Sequence, residues 1–114
     1  METLDKNPRK MMTGPELEDV TVGQVLYALS DVNRLKIVQM IDAAGGELRC
    51  GSFSDEIGLT KPTLSHHFGI LRESGVIATR IDGTHKFNTI RRKELNRRFP
   101  GLLESILKSL KKEL

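Results

Sequence analysis

The sequence predicts a mainly α domain that carries one small β-hairpin. Three observations predict it. Apolar residues recur at helical spacing near both ends of the chain, over 22–41 and 99–114. Between residues 52 and 74 a short helical stretch, a glycine and a second, well-capped helix follow one another. An Asp82-Gly83 pair then divides two stretches of strand-like alternation. The 114 residues suit one domain with a single core.

Residues 1–18 mix Pro8, Gly14, Pro15 and scattered charges without an apolar period, which predicts a flexible N-terminal arm ahead of a domain over 19–114. Val22, Val25, Leu26 and Leu29 fall at i, i+3, i+4 and i+7, one face of a first helix. Asp31 is placed to cap a second helix with a Leu35, Val38, Ile41 stripe, widened by Ile37 and Met40. Gly45 and Gly46 end it. A short helix over Ser52–Ile57 closes at Gly58, where a left-handed residue can stop a helix. Thr60 caps the next helix, whose first turn tolerates Pro62, and Gly75 stops it. Val76, Ala78 and Arg80, then Thr84, Lys86 and Asn88, alternate around Asp82-Gly83, a pair that supplies positive φ at both loop positions of a tight hairpin. From Arg91 the chain is basic and helical in pattern. Pro100 predicts a break, and Phe99, Leu102, Leu103, Ile106, Leu107, Leu110 and Leu114 form a wide apolar face. A short helix, a turn and a capped helix make a helix-turn-helix, and the hairpin after it makes a wing.

Composition excludes several classes of function. One cysteine rules out an intrachain disulfide framework and zinc sites built from four cysteines or from two cysteines and two histidines. The longest apolar run, Val25–Leu29, is too short for a membrane span or a signal sequence, so the expected location is the cytoplasm, with no membrane partner. No nucleophile–base set, Gly-rich phosphate loop or convergent carboxylate pair assembles, so neither an enzyme nor a cofactor is expected. The net charge of +3 is lopsided: residues 1–59 carry 6 basic and 10 acidic side chains, residues 60–98 carry 9 and 3. A basic segment of that kind attracts polyanions.

The helix at 60–74 turns Leu64, Phe68 and Leu71 to one side, with His67 at the border. Its other side shows Pro62, Thr63, Ser65, His66 and Gly69 instead of long charged residues. Small hydroxyls, an imidazole and a glycine permit close approach to a grooved partner, and the N-terminal residues of a recognition helix meet base edges in the major groove. Thr60, Lys61 and the helix N-terminus suit a backbone phosphate. The hairpin tip brings Arg80, Gly83, Thr84, His85 and Lys86 to a wing suited to the backbone or minor groove.

Ala28-Leu29-Ser30-Asp31, Arg34-Leu35-Lys36-Ile37, Thr63-Leu64-Ser65-His66-His67-Phe68 and Leu71-Arg72-Glu73-Ser74-Gly75-Val76, with the Arg80–Lys86 wing, resemble ArsR-type winged helix-turn-helix regulators over residues 19–110. The resemblance implies a homodimeric DNA-binding transcription regulator, usually a repressor, that dimerises through its first and last helices. The stripes Val22, Val25, Leu29 and Leu103, Ile106, Leu107, Leu110 fit that role. Two-fold symmetry then implies a palindromic operator. The alternative is a winged helix used as a protein-interaction module, because fold does not fix function.

The sequence departs from the family in its signal residues. Many members hold metal through a Cys-x-Cys pair after Glu-Leu. Here Glu47-Leu48 leads to Arg49-Cys50-Gly51, and no histidine lies beyond His85, so no metal site is expected. Gly69 stands where the family often has Lys, which shifts the expected backbone contacts to Arg72, Arg80, Arg91 and Arg92. Cys50 reads either as an oxidant-sensing thiol or, preferably, as a small buried apolar residue. A small-molecule effector would sit between helices or at the dimer interface, and no residue pattern identifies one.

Overall fold

The computed structural model describes residues 9–113. In chain order the elements are β1 (Arg9–Met12), α1 (Val22–Ala28), α2 (Val32–Ala43), β2 (Glu47–Arg49), α3 (Ser54–Ile57), α4 (Lys61–Glu73), β3 (Ile77–Asp82), β4 (His85–Ile90), α5 (Arg92–Arg98) and α6 (Leu102–Lys112). Short 3-10 turns at Leu17–Asp19 and Cys50–Ser52 precede α1 and α3. No helix among the described residues is long and apolar enough to cross a membrane.

Local chemistry sets the helix starts. Asp31 accepts hydrogen bonds from the backbone N–H groups of Asn33 (2.8 Å) and Arg34 (3.1 Å). Thr21 and Gln24 form a reciprocal capping box at α1. Thr60 caps α4 through the Thr63 N–H, with Pro62 in the first turn. Glycines at positive φ supply the stops: Gly58 (74°) after α3 and Gly75 (81°) after α4. The last helical segment is broken at Phe99-Pro100-Gly101, where Gly101 takes the left-handed conformation.

The core lies where α2 and α4 meet the base of the hairpin. Ile37, Val38, Ile41, Phe53, Leu71, Val76 and Ile77 are fully buried. Phe53 and Phe68 pack edge to face at 5.1 Å, which ties α4 to the start of α3. The sheet has the order β1-β3-β4-β2, antiparallel throughout. At its base β3 is buried over Ile77, Ala78 and Thr79, so alternation is confined to its outer half.

Three expectations need correction. The first concerns the arm at 1–18, of which residues 1–8 lie outside the described residues. From residue 9 the chain is integral to the fold. β1 pairs with β3 from Arg9↔Asp82 to Met12↔Thr79, and Leu17 and Val20 are buried. Gly14 lies so close to the α4 exit that a Cβ would collide with the Arg72 carbonyl oxygen. Arg91 donates to the carbonyls of Thr13 and Pro15 (both 2.8 Å), and Arg98 to those of Leu17 and Val20 (both 3.2 Å). Backbone pairing and arginine–carbonyl bonds hold this strap, and neither leaves an apolar period in the sequence.

The second concerns the hairpin loop. Asp82 pairs with His85, so the two loop residues are Gly83 and Thr84, one step later than predicted. Gly83 has φ 63°, and no described non-glycine residue has positive φ. A turn with Gly first needs only one such residue, the pattern of type II′.

The third concerns the assigned dimer residues. Val25, Leu29, Leu103 and Leu107 are buried within this one chain, at 2, 6, 3 and 4% exposure. Val25, Leu29 and Leu103 meet with Leu95 and Phe99 where α1 faces α5 and α6. These four side chains are covered by the chain itself. Val22 is 48% exposed, and Ile106 and Leu110 are half-buried.

Candidate nucleic-acid interface

α4 has two chemically distinct faces. Leu64, His67, Phe68 and Leu71 point inward. Lys61, Pro62, Thr63, Ser65 and His66 are exposed, as is the Thr60 cap. Gly69 opens this face further, since no atom lies within 4 Å of where its Cβ would be. The predicted contact residues of the helix are thus brought together on one surface that can approach a groove closely.

A buried arginine that the sequence reading did not assign a role fixes the orientation of α4. Arg34 is 5% exposed. Its Nε donates to the Ala28 carbonyl (2.7 Å), its Nη2 to the Tyr27 carbonyl (3.4 Å), and its Nη1 lies 3.2 Å from Nδ1 of His67. The guanidinium lacks an acceptor, so Nδ1 of His67 accepts and the imidazole is neutral. Burial pushes the His67 pKa below its ordinary value; Asp31 opposes that shift, and Arg34 and His66 add to it. Arg34, Ile37, Val38 and Ile41 sit at i, i+3, i+4 and i+7 of α2, all buried. A cation at the head of a buried stripe was the sequence signal for this clamp.

The arginines expected on the phosphate backbone behave differently. Arg80 bonds Glu47 through Nε (3.2 Å) and Nη2 (3.0 Å), reaches Asp82 (3.4 Å), and lies 4.2 Å from the centre of the Phe87 ring. It joins β2, β3 and β4. Arg91 forms a bidentate pair with Glu94 (both 2.9 Å) besides its carbonyl bonds, and its side chain is only 7% exposed. Arg92 forms a bidentate pair with Glu104 (both 2.7 Å) and a third bond to Asp42 (2.7 Å). With Asn96 assisting Arg92, the Glu104 carboxyl is lowered to about 2. Arg80, Arg91 and Arg92, expected on the phosphate backbone, thus each already face a carboxylate of this chain.

The wing tip remains open. Gly83, Thr84, His85 and Lys86 are exposed, and neither Lys86 nor Lys61 makes an ion pair among the described residues. Between α4 and the wing lies a cleft of about 290 Å³. Arg72 lines it, half-buried, at one end of a buried polar chain. Its Nη1 donates to Thr79 Oγ1 (3.1 Å), Thr79 donates to Asn88 Oδ1 (2.8 Å), and Asn88 Nδ2 donates to Cys50 Sγ (3.0 Å). Thr79 and Asn88 are fully buried, and every bond in the chain has a defined direction. Cys50 is half-buried in that chain, not a plain apolar filler. No group of three or more His, Cys, Asp or Glu side chains able to hold a metal lies among the described residues.

A helix-turn-helix whose second helix presents a small polar face, followed by a β-hairpin with an open basic tip, defines a winged helix-turn-helix of the DNA-binding class. Comparisons with known proteins give the same class. A helix-turn-helix domain family matches residues 29–80. The HTH-type transcriptional regulator YceK of Bacillus subtilis is 37% identical over 95 residues, covering 83% of this chain and 95% of that protein. The arsenical resistance operon repressor of Staphylococcus aureus is 36% identical over 59 residues, covering 52% of this chain and 55% of that one. The crystal structure of the transcriptional repressor BigR from Xylella fastidiosa superposes with a TM-score of 0.55 at 33% identity, covering 68% of this chain and 85% of that one. The chain belongs to the ArsR-type family of winged helix-turn-helix transcriptional regulators, which are DNA-binding proteins and not enzymes.

Proposed function

We propose that this regulator is a homodimeric cytoplasmic repressor. The N-terminal half of α4 enters the major groove of a palindromic operator, and the Gly83–Lys86 tip rests on the adjacent backbone or minor groove. The observation that carries this reading is the exposed face of α4 from Lys61 to Gly69. It bears hydroxyls, an imidazole and an open glycine, and no carboxylate, while its opposite face is clamped by Arg34 and the core. Thr63, Ser65 and His66 supply base-edge donors and acceptors, and Lys61 and Lys86 supply phosphate charge.

The second copy joins through apolar surface that this chain leaves exposed. Val22, Leu26, Tyr27 and Val32 are 48, 48, 63 and 68% exposed on α1 and the start of α2. Ile106 and Leu110 of α6 are half-buried and extend the candidate contact. Dimer symmetry then sets half-sites about 34–36 Å apart, or a multiple of that. The described residues offer no ligand set for a metal signal.

The test is selection of bound sites from random DNA, with the mass of the complex measured in parallel. A selected inverted repeat bound by two copies is the expected result. Failure to enrich any sequence, with a protein partner retained in pull-down, would replace this reading with that of an interaction module.

A further inference from the structure

We propose that the cleft between α4 and the wing is a binding site for a small organic acid: one carboxylate or phosphate group on a compact apolar body. The volume of about 290 Å³ lies near the lower end of small-molecule sites, which start at about 300 Å³, and suits a single ring bearing an acid group. Its lining is divided in the way such a ligand requires. Leu64 and Phe68, 4 and 5% exposed, form an apolar floor. Lys61, Arg72 and Lys86 place three cations around it, and no carboxylate lines it among the described side chains.

Arg72 is prepared for an anion. Thr79 holds only its Nη1; among the described residues its Nε and Nη2 have no partner. The Thr79–Asn88–Cys50 chain fixes that guanidinium from behind, so little conformational freedom is lost when a bidentate acid group docks. This contrasts with Arg80, Arg91 and Arg92, each of which already bonds a carboxylate of this chain.

The consequence for regulation rests on the DNA-binding reading above. Lys61 and Ser65 lie on the helix that enters the groove, and Lys86 on the wing tip. An acid in the cleft neutralises charges that DNA phosphates would otherwise meet, so ligand and operator compete.

The test uses the DNA-free full chain, titrated with benzoate, phenyl phosphate and neutral benzamide and followed by backbone amide NMR. Both acids are expected to give saturable shifts confined to 61–72, 50–51 and 86, with benzamide at least about tenfold weaker. Arg72→Gln should weaken the acids about tenfold. The rim variant Lys61→Gln/Lys86→Gln, which touches no buried group, should do the same, and Arg97→Gln on α5 should change nothing. No saturable shift with either acid up to about 10 mM, equal binding of benzamide, or indifference to both cleft variants would each overturn the site. Labelled DNA bound to the wild-type chain should be released by benzoate over its own binding range; binding without release would overturn the competition. If the acids bind but the chain binds no DNA, the functional reading fails while the site stands. If DNA binds, the cleft variants weaken it and the acids do not bind, the cleft is only a phosphate seat.

Discussion

The α4–wing surface and the α5 region are both basic in sequence, yet their cations do different things. Around α5, Arg91 is bonded to Glu94 and to backbone carbonyls of the strap, and Arg92 to Glu104 and Asp42. On the α4–wing surface, Lys61 and Lys86 make no ion pair among the described residues, and the Arg72 guanidinium hydrogen-bonds only the Thr79 hydroxyl among them. Formal charge is therefore not available charge. An arginine whose fork is already matched to a carboxylate offers little to a phosphate, whereas a free lysine releases counterions when it meets one.

The sharpest way to break this comparison is to attack the clamp that presents α4. Arg34→Ala removes a 5% exposed guanidinium with three partners, and should cost about 3 kcal/mol in urea unfolding while DNA affinity falls with the folded fraction. A stable variant with full affinity would show that α4 needs no such anchor. Next in size, Ser65→Ala/His66→Ala should lower operator affinity about thirtyfold and leave random-sequence binding nearly unchanged, as read by competition binding. The direct comparison is Lys86→Ala with Arg92→Ala. Lys86→Ala should weaken both kinds of binding a few fold, reduce the slope of log affinity against log salt by about one, and leave stability unchanged within about 0.5 kcal/mol. Arg92→Ala should cost about 1 kcal/mol of stability, since the residue is 43% exposed, and leave the salt slope intact. If Arg92→Ala flattened the slope instead, the division between engaged and free cations would be wrong.

The smallest effect is a pH dependence. The folded state lowers the His67 pKa below 6.5, so it disfavours the protonated ring. Above that pH neither state holds the proton and no stability is lost. Below it the unfolded chain binds the proton first, and stability declines as pH falls. His67→Gln should flatten that part of the stability profile. Glu104 adds a separate loss at lower pH, from 4.5 toward about 2, as its pair with Arg92 is protonated away.

Elements defined by one residue's own chemistry were legible in the sequence. Asp31 and Thr60 as caps, Gly58 and Gly75 as stops, and the break at Pro100 each depend on a local hydrogen bond or a local φ. The inward and outward faces of α4 followed from the helical period alone. What was not legible depended on partners distant in sequence. β1 is a strand because β3 lies beside it, 69 residues later at Met11↔Arg80. Arg80 meets Glu47, and Arg92 meets Asp42, across separations of 33 and 50 residues. A period-based stripe says that Val25 and Leu103 are buried, but not whether their cover comes from the same chain. The hairpin register shifted by one because Gly83 can begin a turn as readily as end one.

The strap has one more consequence, for how these molecules behave when crowded. A bare β3–β4 hairpin would offer two open edges of six residues, each a template for a stray strand. β1 covers one edge and β2 the other, leaving outer edges of only four and three residues. Trimming the chain past Met12 would then uncover the edge of β3, and its expected signature is concentration-dependent self-association of a protein whose helices remain folded.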